Sequence, residues 1–137
     1  MKKLIFILMF GSLFGENYMS PGIQVRFNSS KEYFFSYQIT FGVFNKSIGF
    51  PGITLGRRHY KTGLKEWNSY NYIDAQIAFV AIGTGVGVIY DNSNIFYKYK
   101  LFAGWFGLAT CDYITFKDKP KVHLGAFGVY PIFEYFN

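Results

Sequence analysis

Between Tyr33 and Val43 every second residue is large and apolar: Tyr33, Phe35, Tyr37, Ile39, Phe41 and Val43. The residues between them are Phe34, Ser36, Gln38, Thr40 and Gly42, mostly small or polar and none charged. A period of two predicts a β-strand with two unlike faces, because successive side chains of an extended chain point to opposite sides. The pattern recurs further on. Ile73, Ala75, Ile77 and Phe79 alternate with Tyr72, Asp74, Gln76 and Ala78, and Thr84, Val86, Val88 and Tyr90 alternate with Gly83, Gly85, Gly87 and Ile89.

Polar turns divide the chain into strands predicted over 22–28, 33–44, 52–60, 67–79, 83–90, 95–103, 106–116 and 121–130. The turn signals are Ser29-Ser30-Lys31-Glu32, Asn45-Lys46-Ser47, Lys61 to Lys65, Asp91 to Asn94 and Lys117 to Pro120. β-branched, aromatic and glycine residues are spread throughout, and no segment reads as a helix. The expected fold is therefore all-β: a small antiparallel up-and-down β-barrel of about eight strands.

The sidedness of the strands bears on location. The large residues Tyr37, Ile39, Phe41, Ile73, Ile77, Val86 and Val88 are expected to face outward as a lipid-facing belt, with Ser36, Gln38, Thr40, Thr54, Gly56, Asp74 and Gln76 inside. A soluble barrel reverses this pattern and needs a charged exterior. Aromatic residues make up 23% of the chain and charged residues only 16%, so such an exterior is hard to supply. Tyrosine and tryptophan also cluster near strand ends, at Tyr33, Tyr60, Trp67, Tyr90, Tyr97 and Tyr130, where a lipid–water boundary favours them. A strand of 9–11 residues crosses a bilayer, and several segments reach that length.

Met1-Lys2-Lys3 followed by the apolar run Leu4 to Phe10 has the charge and length of a secretory signal peptide. The expected organisation is a leader over 1–15 and one barrel domain over 16–137. The net charge is +6; without Lys2 and Lys3, 12 basic residues stand against 8 acidic ones, giving +4. The basic residues are too scattered for a nucleic-acid footprint, so no nucleic-acid partner is expected. The partners expected are membrane lipid and, through the basic excess, its headgroup phosphates.

The leader, the alternating strands, the short turns and the aromatic C-terminus together resemble the small outer-membrane β-barrel proteins of bacteria and their phage-encoded versions. The likeness spans nearly the whole chain and is architectural. It implies export to the outer membrane, with a secreted or periplasmic location as the alternative.

Candidate chemistry is sparse. Cys111 is the sole cysteine, which rules out an internal disulfide and zinc-type spacing. Arg57, Arg58 and His59 end the third strand beside a turn, where cations meet headgroups or simply mark the strand's exit. Asp74, amid apolar residues, needs a partner; Arg58, on the same even-numbered face, is the expected one, with Gln76 beside it. His59 and His123, taken with Asp74, Asp112 or Glu66 and a serine, would compose a hydrolase site, but no local signature supports one. Gly83-Thr84-Gly85-Val86-Gly87 lacks the Lys-Ser/Thr and the helix of a phosphate loop. No cofactor or metal is expected. The leading expectation is a non-enzymatic barrel with a structural or surface-recognition role; the alternatives are a soluble barrel binding an apolar ligand and a lipid-modifying enzyme.

Overall fold

Strand β1 (Glu16–Asn28) is hydrogen-bonded along both edges, to β2 (Tyr33–Phe44) on one side and β8 (Val122–Val129) on the other. That double pairing closes the sheet. Between them run β3 (Phe50–Thr62), β4 (Glu66–Phe79), β5 (Ile82–Asp91), β6 (Asn94–Ala103) and β7 (Ala109–Ile114), each antiparallel to its sequence neighbours. The result is an all-β, eight-stranded, up-and-down barrel. The computed structural model describes residues 16–45, 49–62, 66–79, 81–104, 107, 109–117, 121–130 and 132–133, and no helix occurs among them. The leader expected over 1–15 lies outside these residues.

A short ninth strand, β9 (Ile132–Phe133), extends the line of β8. Gly22 pairs with Val129 and Met19 with Ile132, so one register runs through the whole edge. Pro21 sits within β1 at this point, and its carbonyl accepts a bond from Tyr130 N at 3.0 Å. The first strand therefore begins six residues earlier than the predicted 22. Pro21 lacks a ladder donor, and its outward-facing ring leaves the pairing with β2 intact. The seventh strand is shorter than predicted, six residues in place of eleven.

Turns are tight. In β5–β6, Asn92 and Ser93 form a two-residue loop, both with positive φ (44° and 73°), the twist that fits the strands it joins. In β1–β2 the Asn28 carboxamide oxygen accepts from Ser30 N and Glu32 N, at 3.0 and 3.1 Å. Burial alternates with the period of two most clearly in β2, where Phe34, Ser36 and Gln38 are buried and Tyr33, Phe35 and Tyr37 are exposed. The residues facing inward and those facing outward differ sharply in kind.

Candidate functional site: the charged interior

Six ionisable side chains meet inside the barrel: Arg26 on β1, Arg58 on β3, Asp74 on β4, Lys98 and Lys100 on β6 and Asp112 on β7. None is more than 3% exposed. Each sits at an inward position of an alternating strand, and all but Arg58, which lies between Arg57 and His59, have apolar neighbours that point out: Arg26 between Val25 and Phe27, Lys98 between Tyr97 and Tyr99, Asp112 between Cys111 and Tyr113.

Two carboxylates organise four cations. Asp112 Oδ2 lies 2.6 Å from Arg26 Nη1, 3.1 Å from Arg58 Nη2 and 4.0 Å from Lys98 Nζ. Asp74 Oδ2 lies 2.7 Å from Lys98 Nζ and 3.3 Å from Lys100 Nζ. Lys98 thus links the two halves, and its ammonium stands 3.8 Å from the centre of the Tyr72 ring, where the π face favours a cation. With two carboxylates to four cations the cluster carries a formal charge of +2.

Neutral groups extend the network around the wall. Arg26 donates through Nε and Nη2 to Gln24 Oε1, at 2.9 and 2.6 Å, and through Nη2 to Thr110 Oγ1 at 3.0 Å. Gln24 Nε2 donates to Gln38 Oε1, which also accepts from the Tyr72 hydroxyl at 3.1 Å. Arg58 Nη1 donates to the Tyr70 hydroxyl at 3.1 Å, and Lys100 Nζ to Gln76 Oε1 at 2.5 Å. The Thr40 and Thr54 hydroxyls share a bond of 2.7 Å.

The pairing expected between Arg58 and Asp74 is not made. Both residues face inward, but the β3–β4 register sets Asp74 opposite Thr54 and Arg58 opposite Tyr70. Four residues of offset correspond to about 13 Å along a strand. Arg58 therefore reaches across the barrel to Asp112, and Asp74 takes its cations from β6. Gln76, half-buried, joins through Lys100. Arg26, Lys98, Lys100 and Asp112 escaped the sequence reading as interior residues. Their signal is charge alternating with outward residues such as Val25, Phe27, Tyr97, Tyr99 and Tyr113, the same period of two that places Ser36, Thr54 and Asp74 inside.

The glycine-rich segment of β5 has a packing role. A Cβ on Gly87 would collide with the Asp74 carboxylate across the ladder, and one on Gly83 with the Phe102 ring. Toward the end where β1–β2, β3–β4, β5–β6 and β7–β8 turn, the interior becomes apolar. Phe34, Tyr60, Tyr70, Tyr72, Ile89, Ile114 and Phe116 form a buried cluster with Phe96 packed against it. His123, the cross-strand partner of Asp112, is buried there with its ring 4.6 Å from Phe34. His59 lies on the outer face, its ring 5.5 Å from Tyr37, so the two histidines are not brought together. No group of three or more His, Cys, Asp or Glu side chains that would hold a metal occurs among the described residues. The network ties β1, β3, β4, β6 and β7 together through the middle of the barrel.

The exterior is the converse. Tyr37, Ile73 and Val86 are exposed, while Ile39, Phe41, Ile77 and Val88 are half-buried on the same outward face. Ile23, Val25, Leu55, Ile82, Leu101 and Leu124 join them, Ile82 at 69% and Leu101 at 61% exposure. Among the outward positions of the described strands only Arg57 and Lys61 are charged. Comparison of the chain with models of known families, with curated proteins and with solved structures finds no match.

Proposed function

We propose that this chain is a non-enzymatic, membrane-spanning β-barrel of the kind found in bacterial outer membranes, exported by its leader, with a structural or surface-recognition role. The observation that carries the reading is the inversion: six ionisable side chains inside, and an outer wall on which, among the described strand positions, only Arg57 and Lys61 are charged. In water such a wall is a very large apolar patch, which monomeric soluble proteins rarely carry. In hydrocarbon it is the favourable arrangement, and closure leaves no unpaired sheet edge.

Other features fit. Strands β1 to β6 have 10 to 14 residues, long enough for tilted strands to cross a bilayer. Tyr33, Trp67, Tyr90, Tyr97 and Tyr113 are exposed toward one set of hairpins, as in an interfacial girdle. The turns are too short for a broad adhesive surface. A soluble barrel holding an apolar ligand would need an apolar cavity, and the buried ionic network occupies that space.

The test is refolding into phosphatidylcholine vesicles, with flotation after an alkaline wash and gel mobility with and without boiling. The reading expects the barrel to float with the vesicles and to migrate differently once boiled. A protein left in the aqueous fraction with unchanged mobility contradicts it.

A further inference from the structure

Arg57 is the outlier of the outer wall. It lies within β3, flanked across the ladders by Tyr37 on β2 and Asn71 on β4, and Asn71 in turn pairs with Tyr90 on β5. The four residues form one cross-strand row on the outer face: Tyr37, Arg57, Asn71, Tyr90. The next outward row toward the middle of the strands is wholly apolar: Ile39, Leu55, Ile73, Val88. Between the two rows runs a groove of about 470 Å³, lined by Tyr37, Ile39, Leu55, Arg57 and Asn71 and floored by the strands beneath.

The Arg57 guanidinium is held in place from one side. Its Nη2 donates to Ser69 Oγ at 2.9 Å, while the residue remains exposed. Asn71 is exposed beside it, and His59 lies one outward position further along β3, against the Tyr37 ring. A fixed guanidinium with open donors recognises a phosphate oxygen well. The polar row and the apolar row are stacked in the order of a phospholipid, headgroup toward the aromatic rim and acyl chain toward the middle of the wall.

We infer that this groove is a binding site for one anionic phospholipid, its headgroup phosphate held by Arg57 and Asn71 and its acyl chain laid along Ile39 and Leu55. The inference rests on the membrane-spanning reading above. Charge complementarity selects the occupant: the phosphate of a zwitterionic lipid comes with its own ammonium, which sets a second cation beside Arg57, whereas an anionic lipid brings the phosphate charge alone and neutralises the guanidinium.

The experiment uses the barrel reconstituted in phosphatidylcholine bilayers with trace spin-labelled phosphatidylglycerol or phosphatidylcholine, reading the motionally restricted fraction of each label. Wild type should prefer phosphatidylglycerol by about fivefold, the scale of one interfacial arginine facing an anionic headgroup. Arg57→Gln should lose that preference. Lys61→Gln, which removes the other outward cation near the hairpin tip, should keep it. Equal restriction of both labels by wild type overturns the inference and leaves the membrane reading standing. Equal losses in the two variants overturn it as well, because the effect is then general charge. Displacement of phosphatidylglycerol by inorganic phosphate assigns the site to the free ion and overturns the lipid as occupant. Absence of any restricted component with either label contradicts the membrane reading itself.

Discussion

Arg58 Nη2 and Asp112 Oδ2 are 3.1 Å apart although 54 residues separate them in the chain. Their strands, β3 and β7, stand four places apart in a ring of eight, so the contact spans the barrel. Opposite walls are joined through a buried ion pair, and Arg26 from β1 meets the same carboxylate oxygen at 2.6 Å. A carboxylate shared this way is hard to lose: without it two guanidiniums stay buried with no acid beside them.

Asp112→Asn should therefore destabilise the barrel by about 3–5 kcal/mol, the scale of breaking a buried pair from one side. Adding Arg58→Met should recover part of the loss, since it removes one of the stranded cations. Urea unfolding of the wild type and both variants in micelles measures this. A single variant as stable as wild type would show that water reaches the network freely.

Glycine positions give a second contrast. A Cβ at Gly87 would meet the Asp74 carboxylate and the Ile73 carbonyl, with the Asp74 Cα at 2.9 Å, whereas nothing lies within 4 Å of one at Gly128. Gly87→Ala should cost about 1–3 kcal/mol through overpacking, and Gly128→Ala should stay within about 0.5 kcal/mol of wild type. The same unfolding assay checks both.

The apolar end of the interior should behave as a packed core. Phe116 is buried, with its ring 4.9 Å from Phe96, 6.3 Å from Tyr70 and 6.0 Å from His123. Phe116→Ala should destabilise by about 3–5 kcal/mol. A much smaller loss in the unfolding midpoint would mean that the cluster is loosely filled.

The outer wall responds in the opposite sense to charge. Val86, 55% exposed in the middle of β5, should not tolerate a cation: Val86→Arg should weaken insertion by about 2–4 kcal/mol. Folding titrations into vesicles read this directly. Equal yields for Val86→Arg and wild type would place that face in water.

Much of the fold was legible because the period of two is set by backbone geometry alone. β2 matches its predicted span, and β4, β5 and β6 lie within one residue of theirs. Strand ends were less legible: the pattern predicts a first strand from Gly22, yet β1 begins at Glu16 and carries Pro21 within it. The interior was half legible. Alternation put Arg58 and Asp74 on the inner face, but which charges meet depends on register and on contacts across the barrel. Neighbouring strands suggested Arg58 with Asp74; a four-residue offset and the span to β7 give Arg58 with Asp112. Such a contact joins residues with no local signal in common.

The most direct measurement of the central claim is a spin-label accessibility scan of single cysteines in a Cys111→Ser background, with the barrel in lipid bilayers. Labels at Ile73, Val86 and Leu101 should be relaxed by oxygen, which concentrates in hydrocarbon, and hardly by a water-soluble nickel chelate. Labels on those three strands that are reached by the chelate and not by oxygen would contradict an inverted barrel with lipid outside.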